Sequence, residues 1–270
     1  MKENHDDYEV VPFPKMRRFA LDAGRMGRRK HIIHALVEVD VTKACQYIRE
    51  HEAKTGESLS FTAFIITCLA KAVEMNRYVQ AYRNWRGHLV LFDKVNVNTM
   101  IEVESEGQKI PIPHIIKAAN EKTFRDIHEE IRATQAGPAS SQESKFMQWF
   151  LLLPAFVRRL FYWVVTKIPH LLREYSSSVL VTAVGMFGKG VAWGIPMPNF
   201  TLTVTLGSIA EKPGVVDGRI EIREYLCMTL SFDHDIIDGA PAARFTQRLK
   251  ELIESGYGLN DSDSIQSKRY

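Results

Sequence analysis

Ser231-Phe232-Asp233-His234-Asp235-Ile236-Ile237-Asp238-Gly239-Ala240 is the stretch on which the reading of this chain turns. A histidine stands four residues before an aspartate, and Gly-Ala follows the aspartate. A histidine held at the end of a strand can act as a general base, because imidazole changes charge near neutral pH. The Asp-Gly pair turns the chain sharply, since glycine tolerates backbone angles that other residues avoid. Behind it, Ala242 to Ile253 carries apolar residues at helical spacing. The stretch therefore predicts a strand, a histidine, a tight turn and a helix.

Working outward, strands are predicted for Ala35–Asp40, Val95–Val103, Val179–Val184, Leu202–Ile209 and Tyr225–Phe232. Helices are predicted for Thr42–Lys54 with Thr42 as N-cap, for Phe61–Met75 after a Ser60 cap, and for Thr123–Thr134. The prolines within Ile110–Ile116 suggest an extended edge segment. Helices and strands mix without regular alternation, which favours an α/β (α+β) two-layer sandwich over a doubly wound sheet. Residues 1–13 read as a flexible arm and 259–270 as a flexible tail, leaving 14–258 as one domain.

The 270 residues are 45% hydrophobic and 25% charged, an ordinary globular composition. A net charge of +3 does not argue for nucleic acid. Cys45, Cys68 and Cys227 are odd in number and lack a C-x-x-C pair, so neither a disulfide framework nor a zinc site is expected. With no secretory signal at the N-terminus, the expected location is the cytoplasm. Arg17, Arg18, Arg25, Arg28, Arg29 and Lys30 form a basic stretch, read as a solvated helix face ahead of a phosphate site.

The H-x-x-x-D-G pattern resembles the active-site signature of the chloramphenicol acetyltransferase-like acyltransferases. The longer stretch, Leu230 through Phe245, is most similar to the catalytic core of the dihydrolipoamide acyltransferase subunits of 2-oxo acid dehydrogenase complexes. Further matches fall in order: Ile110–Ile116, Val181-Thr182-Ala183-Val184-Gly185, Gly207–Pro213 and Val216-Asp217-Gly218. The resemblance implies a mixed sheet with flanking helices and a coenzyme A-dependent acyltransferase. It assigns His234 as general base and Asp238 as a residue that holds the geometry. It assigns Thr182 as the hydroxyl donor to the oxyanion. It implies a homotrimer, or a multiple of one, with the site between subunits, acyl-CoA and an acceptor as substrates, and no metal.

Two departures qualify that picture. The chain is read as lacking a lipoyl domain, so no lipoate is attached here and a lipoylated carrier would act in trans. Asp235 replaces the arginine usual after the histidine, so the local ion pairs must differ. The competing readings are a non-catalytic assembly module of the same fold and an antibiotic-type O-acetyltransferase. The latter usually carries two adjacent histidines, and Asp233 stands at that place.

Residues 144–175 form an apolar insert. Its run from Phe146 to Val165 approaches bilayer-spanning length, but Arg158 and Arg159 interrupt it. A helical wheel groups Arg158, Arg159, Tyr162 and Thr166 on one face. The insert is expected to pack on its own assembly first, with peripheral membrane contact second.

Overall fold

A computed structural model describes the chain except residues 1, 2, 6, 7, 14–16, 29, 106, 107, 137–148, 151, 186–189, 198 and 260–270. In chain order the strands are β1 Glu3–His5, β2 Tyr8–Val10, β3 Ile32–Asp40, β4 Tyr82–Arg83, β5 Leu89–Val90, β6 Val97–Ser105, β7 Gln108–Ile116, β8 Val179–Ala183, β9 Leu202–Val216 and β10 Arg219–Asp233. The helices are α1 Arg17–Gly27, α2 Thr42–Thr55, α3 Phe61–Met75, α4 Phe124–Ala136, α5 Ala155–Lys167, α6 Pro169–Tyr175 and α7 Gly239–Ser255.

Six strands form one mixed sheet in the order β3-β10-β9-β8-β6-β7. The β9–β8 and β8–β6 pairs are parallel, and the other three are antiparallel. Alternation separates the two faces of the sheet. Val181, Val204 and Leu230 lie side by side in register and are buried with the helix residues Phe64, Leu69, Ile127 and Phe245. The other face carries Thr182, Thr205, Thr229 and Ser231, a polar surface inside a sheet. This is the expected sandwich, with one helical layer on one mixed sheet.

Several elements differ from their sequence reading. Thr42 is not a cap: the helix begins there, and its N–H and hydroxyl both donate to Asp40 Oδ1, at 2.9 and 2.6 Å. Ser60 does cap α3, accepting from the Ala63 N–H at 3.2 Å. β9 and β10 run well beyond the expected strands, into a hairpin whose turn sits at Asp217 and Gly218, both at positive φ. The distal half of that hairpin is exposed, so burial leaves no apolar period there to read. In the arm, β1 pairs with β2. Leu259, read as the first residue of the tail, is buried in the core.

The insert folds as short helices instead of one long one. Pro154 and Pro169 delimit α5 and open α6, as a residue without an N–H does. No helix among the described residues is long and apolar enough to cross a membrane. The face assignment of the helical wheel is overturned. Arg158 is buried, whereas Arg159 is exposed beside Phe156, Leu160 and Trp163. Arg158 turns inward because it has partners there: its Nε donates to Asp22 Oδ2 on α1 at 2.7 Å, and Nη1 donates to the Leu153 carbonyl at 2.6 Å. Thr166 lies outside the described side chains.

A buried pair of this kind costs most when halved. Arg158→Ala should lower unfolding free energy by about 3–5 kcal/mol, or release the insert to protease while the core stays folded. Urea denaturation together with limited proteolysis checks this. An unchanged midpoint and an unchanged cleavage pattern would show that the pair does not hold the insert.

Candidate active site

Asp233 is the last residue of β10 and pairs with Ile32 of β3. The chain then leaves the ladder, but the His234 N–H still donates to the His31 carbonyl at 2.7 Å. The Asp233 carbonyl accepts from the N–H groups of Ile236 and Ile237, each at 3.0 Å, which closes the turn. The buried Asp233 carboxylate accepts from Lys30 Nζ at 2.5 Å. Asp235 Oδ1 lies 2.9 Å from His31 Nδ1 on the exposed side of the loop. Two consecutive residues, Lys30 and His31, thus grip the loop on both sides of His234. The altered ion pairing expected from Asp235 takes this form: the carboxylate faces the histidine that immediately precedes the neighbouring strand β3.

The His234 side chain is 44% exposed, and its Nδ1 lies 3.8 Å from Asp238 Oδ1. That is too long for a hydrogen bond and acts as an electrostatic contact only. Asp238 is the N-cap residue of α7 and makes no side-chain capping bond. Its carboxylate sits where the helix dipole favours negative charge. The structure therefore brings His234 and Asp238 together. It leaves Asp238 free to orient the imidazole or to meet another group.

Thr182 is elsewhere. It is half-buried on β8, in register with Thr205, which is itself in register with Thr229. Close backbone packing fixes the chain just beyond it. A Cβ on Gly185 would fall 1.7 Å from the Gly207 carbonyl oxygen, and one on Gly207 would fall 2.2 Å from that of Ala192. From Thr229 to His234 is about 17 Å along β10, and two strand spacings add about 10 Å across the sheet. Thr182 and His234 of one chain thus lie about 20 Å apart and cannot serve one reacting carbonyl.

Lys30 and His31 were not singled out as site residues by sequence reasoning. Lys30 belonged to the basic stretch read as solvated. The available signal was its place immediately before a strand that pairs with the histidine-bearing one.

With this geometry in view, the chain can be compared with known proteins. A model of the family described as 2-oxoacid dehydrogenases acyltransferase (catalytic domain) matches residues 5–143 and 174–259. The unmatched residues between contain α5 and most of α6. The lipoamide acyltransferase component of the branched-chain alpha-keto acid dehydrogenase complex of Bacillus subtilis is 27% identical over 245 residues, 86% of this chain and 50% of that protein. The chain thus spans about half the length of this relative. Among solved structures, dihydrolipoamide acetyltransferase of Azotobacter vinelandii superposes with a TM-score of 0.68 at 17% identity, covering 94% of this chain and 96% of that one. That work concerned the catalytic roles of a serine, a histidine and an asparagine. Chloramphenicol acetyltransferase superposes with a TM-score of 0.50 at 13% identity, covering 94% and 100%. The fold is therefore chloramphenicol acetyltransferase-like, and by a family model that matches well over half its length the chain belongs to the 2-oxoacid dehydrogenase acyltransferases, as their catalytic domain.

Proposed function

We propose that the chain transfers an acyl group between coenzyme A and a second thiol, with His234 as general base. The observation that carries this is the half-exposed imidazole, fixed by its backbone bond to His31 and faced by Asp238. In the Azotobacter enzyme the serine precedes the histidine by fifty-two residues and the asparagine follows it by four. Thr182 and Asp238 stand at those same separations from His234. The relatives' names attach lipoamide to this chemistry, and a lipoylated carrier is accordingly the second thiol in this proposal.

The steps follow from the groups present. His234 takes the proton from the incoming thiol through Nε2, the ring nitrogen turned away from Asp238. The thiolate attacks the thioester carbonyl, and the resulting oxyanion accepts a hydrogen bond from a hydroxyl. Collapse expels the other thiolate, which takes the proton back from the imidazolium. The hydroxyl is that of Thr182 of the partner subunit, because the Thr182 of the same chain is too distant. The site therefore lies between copies of the chain, and the assembly we propose is a homotrimer or a multiple of one.

His234→Ala should lower kcat by about 10²–10⁴-fold with secondary structure and assembly unchanged, measured by acyl transfer between acyl-CoA and dihydrolipoamide. Near-normal turnover would remove His234 from the mechanism. Lys30→Met leaves the Asp233 carboxylate buried without its cation. Because Lys30 is a quarter exposed, a loss of about 2 kcal/mol of stability is expected, below the range for fully buried pairs. We expect kcat to fall while the KM for acyl-CoA holds. A variant with wild-type kcat would show that this grip does not position the histidine.

A further inference from the structure

A cavity of about 680 Å³ opens between the insert and the His234 loop, within the size range of small-ligand sites. Its lining includes Leu160, Tyr162 and Trp163 of α5, Phe200, and Asp233, Asp235 and Ile236, which flank His234 in sequence. Five cations line it as well: Arg25, Lys30, Arg83, Arg159 and Lys167.

The charge balance is uneven. Each of the three carboxylates in the lining already has a partner: Asp22 has Arg158, Asp233 has Lys30 and Asp235 has His31. Arg25, Arg83, Arg159 and Lys167 have no ion-pair partner among the described residues. They come from three separate elements, α1, β4 and α5, and converge on one space. A cavity with four uncompensated cations and aromatic side chains in its lining suits a phosphorylated ligand with an aromatic body.

We propose that this cavity binds the nucleotide end of the thioester substrate, with its phosphates on Arg25, Arg83, Arg159 and Lys167. This rests on the acyl-CoA reading above and deepens it. The insert, which the family model does not match, supplies Arg159, Lys167, Tyr162 and Trp163. The phosphates are thereby held beside the loop that carries His234, and the thiol end of the same molecule can reach the imidazole.

The test is calorimetric titration of the full chain with adenosine 3′,5′-bisphosphate, the nucleotide of coenzyme A, alongside acyl-transfer kinetics. Wild type should bind, and more weakly as salt rises. Arg159→Gln and Lys167→Gln should each weaken binding by about tenfold or more, and the KM for acyl-CoA should rise with kcat retained. Arg83→Gln, on a different element, should do the same and guards against a misfolded insert. If wild type does not bind the nucleotide, or the three variants bind as wild type does, the cavity proposal is overturned. Acyl transfer can then persist and the functional reading stand. If the nucleotide binds and the variants lose it, but wild type transfers no acyl group, the site stands and the transfer reading falls.

Discussion

The pairing of β10 with β3, continued one step past the end of the ladder, is the constraint on which the rest of the site depends. A side chain at the end of a strand is free to wander unless something beyond the strand holds it. Here the His234 N–H reaches the His31 carbonyl, Lys30 neutralises Asp233 and Asp235 faces His31. Three contacts from two adjacent residues set where the loop can go. The helix that follows then brings Asp238 to the imidazole without a capping bond. The acidic residues flanking the histidine are therefore structural, and Asp233 carries the larger share because it is the buried one.

The same sheet underlies the proposal that the site is shared between copies. Register places Thr182 two strands and five residues from the histidine, and a β-sheet is too stiff to close that gap. The hydroxyls of Thr205 and Thr229, in the same row as Thr182, are buried without partners among the described residues. A polar row of this kind is a costly use of a sheet face in a monomer. It becomes intelligible if that face serves a site that another copy completes.

The sequence was most readable where local pattern and burial agree. The strand–histidine–turn–helix stretch, the Ser60 cap and the apolar β8 strand all have short-range signals. The distal half of the β9–β10 hairpin had none, because its exposed Val215, Ile220 and Ile222 sit among charged residues with no core to match. The grip on the loop was hidden for a different reason: Lys30 and Asp233 are two hundred residues apart, and only the register of β3 on β10 joins them. Arg158 was misplaced because a helical wheel assigns a charge to solvent, and nothing local announces Asp22 as its partner. Arg25, set down as part of a solvated face, lines the cavity beside the His234 loop.

The claim that the site is built by two copies is tested most directly by subunit mixing. Chains carrying His234→Ala and chains carrying Thr182→Ala are each expected to be impaired. Dissociated, mixed and reassembled, they should form some interfaces in which an intact His234 meets an intact threonine of the partner. Acyl-transfer activity well above that of either parent is the predicted result. Activity no higher than the parents, after mass spectrometry has verified that mixed assemblies form, would contradict a shared site.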